Sequence, residues 1–213
     1  VFGEYLLVVG MGLVGQMAGR MAQMAGCYVM GWDMVPFRCD VARRWGIDGT
    51  TIVGQEDAEA KAKEFTGGNG FDLAVMAFGG DGSKALESVS KVMMLSPDTH
   101  RMGRISLVGG LKTLCQWGAG LGNLDLRCSA RTGPGYHDDP WERGDYEYPP
   151  VFMRWTTQSH MKLALRWMSE GKLDVQGLTS HKVPLADIDV AVSAHIDAPD
   201  KTMGTVLIMP HSA

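Results

Sequence analysis

The feature that most constrains this chain is a glycine turn that follows a short apolar run near the amino terminus. The run covers residues 6–9, and the turn has the spacing Gly-x-Gly-x-x-Gly, made by Gly10, Met11, Gly12, Leu13, Val14 and Gly15. A stretch of helical character follows over residues 16–25, and a second apolar run then ends at Asp33. A strand, a glycine turn, a helix, a strand and an acid in this order are typical of a dinucleotide-binding unit.

Each position of the pattern has a physical role in such a unit. Gly10 permits the tight turn out of the strand, Gly12 lets a pyrophosphate approach the backbone, and Gly15 lets the helix pack closely on the sheet. The N–H groups at the helix start then bind the phosphates. Asp33 stands where its carboxylate accepts hydrogen bonds from ribose hydroxyls. A glycine turn with a purely structural role is the alternative interpretation.

The residues after Asp33 bear on which dinucleotide is bound. Met34 follows directly and is not basic, and a carboxylate repels the 2′-phosphate of NADP, so the sequence favours NAD. Arg38, near the start of the next predicted helix, weakens this preference. It either reaches the adenosine ribose or adenine, or is a solvated helix charge, and both interpretations stay open.

Short apolar runs alternate with helical stretches along the first 130 residues. This alternation predicts an α/β fold with a doubly wound, six-stranded parallel sheet of the Rossmann type, followed by a carboxyl-terminal α/β tail. The sixth strand is predicted at residues 124–130, and a helix at 83–95, ended by Pro97. Ligands bind at the carboxyl ends of such strands. The predicted strand ends that border the ligand are Ala77, Phe78, Gly79, Val108, Gly109 and Gly110.

Charge and composition exclude several classes of protein. The net charge is −4, which argues against binding to nucleic acid or to an anionic membrane surface. No apolar run approaches the roughly 18 residues of a membrane helix, and no basic segment precedes the first apolar run as in a signal peptide. The four cysteines have no metal-ligand spacing, so we expect reduced thiols, no zinc site in this chain and a cytoplasmic location.

Residues 132–150 differ in character from the rest. They read TGPGYHDDPWERGDYEYPP and predict a long loop. The run His137-Asp138-Asp139 is either a metal-binding cluster or, as we expect, a solvated acidic loop. The loop contains the aromatic residues Trp141, Tyr146 and Tyr148. We expect them to form either a lid over a bound ligand or a surface that binds a partner. Residues 157–170 then predict an amphipathic helix with Met161, Leu165 and Met168 on its apolar face.

Several segments together resemble the carboxyl-terminal half of medium-chain dehydrogenases, the alcohol-dehydrogenase-like superfamily. LLVVGMGLVG resembles the first strand and turn, and WDMVPFRCDVARRWGIDGTTI resembles the spacing of acid, Arg, Ala and Gly that follows. FDLAVMAFGG and GRISLVGG resemble the fourth and fifth strands, and EGKLDVQGLTSHKVPLADIDVAV resembles the stretch after the penultimate helix.

The resemblance implies hydride transfer between NAD(P) and an alcohol or carbonyl, with a polyol or sugar as one option. In the family, an amino-terminal domain of about 150 residues carries the zinc ligands and most of the substrate pocket. This implies an NAD(P)-binding domain at residues 1–150, and a tail at 151–213 that packs on an absent catalytic domain. We therefore expect weak or no activity alone, and a homodimer through the sixth strand.

Two other classes share part of this pattern. A regulatory module that senses NAD or AMP uses the same turn and acid without chemistry, but it does not explain the HKVPLADI stretch. A methyltransferase also places an acid after its second strand, but its glycine turn usually has another spacing. The dehydrogenase interpretation accounts for more of the chain than either.

Overall fold

The computed structural model describes residues 2–129 and 131–210. Two compact units divide the chain: Val1–Ser129 with Gln176–Ala213, and Ala130–Val175. Within the described residues the strands are β1 (Tyr5–Val9), β2 (Tyr28–Asp33), β3 (Gly49–Ile52), β4 (Leu73–Ala77), β5 (Gly80–Asp81), β6 (Arg104–Val108), β7 (Leu111–Lys112), β8 (Asp125–Ser129), β9 (Thr179–Pro184) and β10 (Gly204–Ile208). The helices are α1 (Leu13–Met24), α2 (Pro36–Arg44), α3 (Ala58–Phe65), α4 (Ser83–Val92), α5 (Asp139–Glu142), α6 (Thr157–Ser169) and α7 (Ile188–Asp197).

The central sheet of the first unit has six parallel strands in the order β3-β2-β1-β4-β6-β8. The order reverses direction between β1 and β4, which is the switch point at which doubly wound folds bind ligands. The predicted fold class is therefore confirmed. Strand β8 lies at one edge of this sheet, and residue 130, the last of the predicted sixth strand, falls outside the described residues.

Strand β1 is buried on both faces, which explains its continuous apolar sequence. Leu7 and Val9 belong to one hydrophobic cluster, which also contains Phe71. Leu6 and Val8 belong to a second cluster. Because successive side chains of a strand point to opposite faces, the two clusters form the two layers of the core.

Helix α4 is shorter than the predicted helix over residues 83–95. The chain leaves the helix at Met93 because Phe71 takes over its backbone hydrogen bonds. The Phe71 N–H donates to the Val92 carbonyl at 2.9 Å, and the Met94 N–H donates to the Phe71 carbonyl at 3.0 Å. Residues 93 and 94 therefore join strand-like pairing before Pro97 is reached.

The carboxyl-terminal part of the first unit packs on its amino-terminal half. Strands β9 and β10 pair in parallel, with α7 between them in sequence. Leu178 and Met203 are buried with Val41 of α2. Residues 176–210 thus lie in the same unit as the central sheet. The predicted packing of residues 151–213 on a further domain stays a prediction.

The second unit consists of α5, α6 and the turns around them. Thr156 and Ser159 form a reciprocal capping box at the start of α6. The apolar face predicted for this helix is uncovered, since Met161 is 59% and Leu165 62% exposed. In the part of the chain that the structure describes, no helix is long and apolar enough to cross a membrane.

Candidate dinucleotide-binding site

Two of the three turn glycines are required by the fold itself. Gly10 has a φ of +90°, and a β-carbon there would lie 2.8 Å from the Ala77 carbonyl oxygen. A β-carbon on Gly15 would lie 1.9 Å from the carbonyl oxygen of Gly10. Neither position accepts a side chain, so both glycines let β1, β4 and α1 approach one another closely.

Gly12 differs because nothing in the protein excludes a side chain there. Its φ and ψ are −69° and −174°, which any residue adopts, and a β-carbon would meet no atom within 4 Å. Gly12 is also the N-cap of α1 and provides no side-chain hydrogen bond to the helix start. The missing side chain therefore leaves open space in front of the helix.

The backbone around Gly12 points hydrogen-bond donors at this space. The first bond within α1 runs from the Gln16 N–H to the Gly12 carbonyl at 2.9 Å. The N–H groups of Leu13, Val14 and Gly15 precede that bond and, as at any helix start, have no intrahelical acceptor. Together with the positive end of the helix dipole, they form a site suited to an anion such as a phosphate.

Asp33, at the end of β2, holds the glycine turn. Its carboxylate is almost fully buried, and Oδ2 accepts a hydrogen bond of 2.7 Å from the Met11 N–H. Its other oxygen, Oδ1, accepts a bond of 2.8 Å from the Val35 N–H. Each carboxylate oxygen has a further lone pair, so the group can still accept from a ligand hydroxyl.

Arg38 contacts this carboxylate rather than pointing freely into solvent. Its Nη1 lies 3.7 Å from Asp33 Oδ2, and its Nη2 donates to the Pro199 carbonyl at 3.2 Å. Its Nε is buried and has no partner among the described residues. Arg38 therefore connects the acid to the segment between α7 and β10, a connection that the sequence did not predict.

Met11 of the glycine turn and Met34 after Asp33 are both predicted at the site, but they differ from each other. The Met11 side chain is fully buried and packs on Gly31, where an added β-carbon would lie 2.6 Å from its sulfur. Met11 can therefore offer a ligand only its backbone. Met34 is 76% exposed, and its side chain is free to cover a ligand.

The predicted residues at the ends of β4 and β6 lie on two neighbouring loops. Beyond Ala77–Gly79 and Val108–Gly110 the chain forms the two short parallel strands β5 and β7, which the sequence did not predict. The Gly80 N–H donates to the Gly110 carbonyl at 3.1 Å, and the Gly82 N–H to the Lys112 carbonyl at 2.8 Å. These bonds hold the two loops together.

Cys39 lies directly behind Asp33 and adds no charge to the site. Its thiol is fully buried and makes a sulfur contact of 3.5 Å with the Thr51 carbonyl. Burial, and secondarily the nearby Asp33 carboxylate, raise the pKa of the Cys39 thiol to about 11. The thiol is therefore neutral at neutral pH.

In the loop predicted as a lid or a partner surface, several residues contact Asp138. Its carboxylate accepts hydrogen bonds from the hydroxyls of Tyr146 and Tyr148, which hold the pKa of that carboxyl below its usual range. The Trp141 and Tyr148 rings lie 5.9 Å apart. Asp138 is thus a structural acceptor and not simply a solvated acid. Among the described residues no three His, Cys, Asp or Glu side chains are placed to bind a metal.

The six-stranded parallel sheet, with a glycine turn and an acid at its switch point, defines a doubly wound α/β domain of the Rossmann type. A family model described as zinc-binding dehydrogenase matches residues 14–116. Over these residues the chain is similar to the carboxyl-terminal, cofactor-binding half of medium-chain dehydrogenases.

Individual relatives show the same similarity. D-guloside 3-dehydrogenase of Escherichia coli is 26% identical over 196 residues, which cover 92% of this chain and 51% of that protein. L-threonine 3-dehydrogenase of Anaeromyxobacter dehalogenans is 34% identical over 108 residues, covering 50% of this chain and 29% of that one. An alcohol dehydrogenase structure from Thermus has a TM-score of 0.72 at 20% identity and covers 98% of this chain and 52% of its own, which shows the shared fold. The chain spans about half the length of the curated relatives that it matches over most of its sequence.

Proposed function

We propose that this chain binds NAD(H) for a dehydrogenase that transfers a hydride between the nicotinamide and an alcohol or carbonyl carbon. The observation that carries this proposal is the open space at Gly12, where helix N–H groups converge beside the carboxylate of Asp33. The N–H groups of residues 13–15 would bind the pyrophosphate oxygens, and Asp33 would accept hydrogen bonds from the adenosine ribose.

The remaining residues of the site would position the reactive end of the cofactor. Ala77–Gly79 and Val108–Gly110 would border the nicotinamide, whose ring supplies the hydride acceptor when it is bound. The protein's contribution is to orient that ring and to exclude water from it. NAD is favoured over NADP because the charge of Asp33 opposes a 2′-phosphate.

The extent of similarity favours a sugar or polyol as the substrate. The match to D-guloside 3-dehydrogenase covers 92% of the chain, and so extends well into the second unit. The matches to L-threonine 3-dehydrogenases cover about half of the chain. The similarity beyond the cofactor domain is therefore with an enzyme named for a glycoside.

We also propose that the groups which bind substrate and transfer protons lie in a further catalytic domain. The support is that the guloside relative is about twice as long as the matched segment. On this proposal the chain alone oxidises simple alcohols and polyols slowly or not at all. Rapid NAD-dependent turnover by the purified chain, followed as absorbance of NADH, would contradict it.

A homodimer through β8 is part of the same proposal. Strand β8 pairs with β6 on one side and is an edge of the central sheet on the other. Sheet edges in stable proteins are paired or protected. The molar mass in solution, measured by light scattering, tests this, and a monomer at micromolar concentration would refute it.

The cofactor preference makes the central proposal testable. We expect NADH to bind at least about tenfold more tightly than NADPH, since one lost charge repulsion corresponds to roughly 1.4 kcal/mol or more. The substitution Asp33→Asn should weaken NADH binding about tenfold and reduce the preference over NADPH, because the amide carries no charge and accepts through one oxygen only. Titrations followed by NADH fluorescence measure both effects.

The matched control for this experiment is Asp40→Asn. Asp40 is an exposed carboxylate on α2 that pairs with Arg43, so its removal should leave both affinities unchanged. No saturable NADH binding up to about 1 mM would contradict the proposal. If AMP stabilises the protein in a thermal-shift assay as strongly as NADH does at equal concentration, a nucleotide-sensing role would fit better.

A further inference from the structure

A buried glutamine lies directly behind the glycine turn. Gln16, in the first turns of α1, has no solvent-exposed surface. Its Nε2 donates to the Met11 carbonyl at 3.1 Å and to the Arg38 carbonyl at 2.9 Å. Both hydrogens of the side-chain amide are therefore used by backbone carbonyls, one in the turn and one in α2.

These bonds fix the backbone of the turn at two successive peptide groups. The Met11 N–H, which belongs to the peptide between residues 10 and 11, donates to Asp33 Oδ2 at 2.7 Å. The Met11 carbonyl, which belongs to the peptide between residues 11 and 12, accepts from Gln16. Because the peptide group is planar, holding one atom on each fixes the direction in which the chain enters Gly12.

The same bonds connect the turn to the residues around the ribose carboxylate. Gln16 holds the carbonyl of Arg38, and the guanidinium of Arg38 lies 3.7 Å from Asp33 Oδ2. Asp33 in turn holds Met11. Gln16, Met11, Asp33 and Arg38 thus form a closed ring of contacts.

Burial of Gln16 costs folding free energy, so packing alone does not explain a glutamine at this position. Its Oε1 is buried and has no donor among the described residues. A buried acceptor without a donor destabilises the folded state relative to an apolar side chain of similar shape. The benefit of a glutamine at this position therefore lies in the two carbonyls that it holds.

We propose that Gln16 is a positioning residue for the dinucleotide, which fixes the glycine turn relative to Asp33 without touching the cofactor. This inference rests on the proposed function, since it takes the space at Gly12 to be the pyrophosphate site. Gln16 keeps the Met11–Gly12 peptide and the ribose carboxylate in one fixed arrangement. A site whose backbone is set before binding loses less affinity to reorganisation.

The test compares Gln16→Leu and Gln16→Met with the unaltered chain. We expect both variants to fold, with a lowered unfolding midpoint because the Met11 and Arg38 carbonyls lose a donor, and to bind NADH roughly tenfold more weakly, about the net strength of one or two hydrogen bonds. In the protein without cofactor, hydrogen–deuterium exchange at the Met11 amide should become about tenfold faster, while exchange in the centre of β1 stays unchanged.

The control variant is Gln23→Leu on the same helix. Gln23 also donates to a backbone carbonyl, that of Gly46 at 2.8 Å, but lies away from the glycine turn. Its replacement should leave NADH affinity and Met11 exchange unchanged, whatever it does to stability.

Three results would overturn the inference. Unchanged NADH affinity in both Gln16 variants, with tight binding by the unaltered chain, refutes the positioning role and leaves the proposed function intact. Failure of both variants to fold shows that Gln16 is required by the core. Absence of NADH binding by the unaltered chain refutes the proposed function and the inference together, even if Met11 exchange becomes faster.

Discussion

The substitution Gly12→Asp is expected to stabilise the protein and to abolish NADH binding. Gly12 is the N-cap of α1, its φ and ψ suit an aspartate, and a side chain there meets no protein atom within 4 Å. An aspartate N-cap should add about 0.5–1 kcal/mol to the free energy of unfolding. A carboxylate about 4 Å from a pyrophosphate charge opposes binding by about 4 kcal/mol at an effective dielectric constant of about 20.

We therefore expect NADH affinity to fall at least about hundredfold while the unfolding midpoint in urea rises. The control Gly12→Asn caps the helix as well but carries no charge, so it separates the effect of filling the space from the effect of repulsion. A Gly12→Asp variant that binds NADH like the unaltered chain would show that the open space is not the phosphate site. Gly120→Val, in open space on another loop, should change neither quantity.

The substitution Gly15→Ala is expected to destabilise the fold severely. The new β-carbon would lie 1.9 Å from the Gly10 carbonyl oxygen, and that oxygen belongs to the backbone of the turn, which cannot move independently of β1. Alanine gains about 1 kcal/mol in helix propensity over glycine, but the overlap should cost about 3 kcal/mol or more. Urea unfolding monitored by circular dichroism measures the net loss.

Gly19→Ala is the matched variant, one turn further along the same buried face of α1. Its β-carbon would meet the Cδ1 atom of Ile47 at 3.1 Å, the end of a flexible side chain that can shift. The two substitutions should therefore differ by at least about 2 kcal/mol although their chemistry is identical. Equal stability of the two variants would contradict the close approach of α1 to β1.

The first strand, the glycine turn and the acid at the end of the second strand could be predicted because each depends on residues that are close together in sequence. A strand buried on both faces is continuously apolar, as at residues 6–9. The Gly-x-Gly-x-x-Gly spacing of the next six residues predicts the turn. Asp33 follows the second apolar run at the expected distance. Each of these signals depends on residues close together in sequence, so the fold class followed directly from them.

Gln16 could not be predicted in the same way. In sequence it is a polar residue in a helix, for which solvent exposure is the usual expectation. Its burial depends on the Met11 and Arg38 carbonyls, and Arg38 is brought beside it only when α2 packs on α1. The one available signal was its position on the helix face that also carries Gly15 and Gly19, both of which face the sheet.

The ends of elements and their coverage also depend on distant residues. The apolar periodicity of α4 continues to Met93, but Phe71 ends the helix at Val92 by bonding to its backbone. Strands β5 and β7 have two residues each, too few for any alternation to appear. Helix α6 forms where its periodicity predicts a helix, but Met161 and Leu165 of the predicted apolar face are exposed, because periodicity contains no information on what covers a face.

The pairing of β5 with β7 has a consequence for the entropy of binding. The loops after β4 and β6 come from segments that are distant in sequence, and two independent loops would each lose conformational freedom when a ligand ordered them. Here the bonds from Gly80 to Gly110 and from Gly82 to Lys112 join them in the protein itself. The two loops therefore lose their conformational freedom during folding and not on binding. A ligand ring that contacts both loops then loses less of its binding free energy to ordering them.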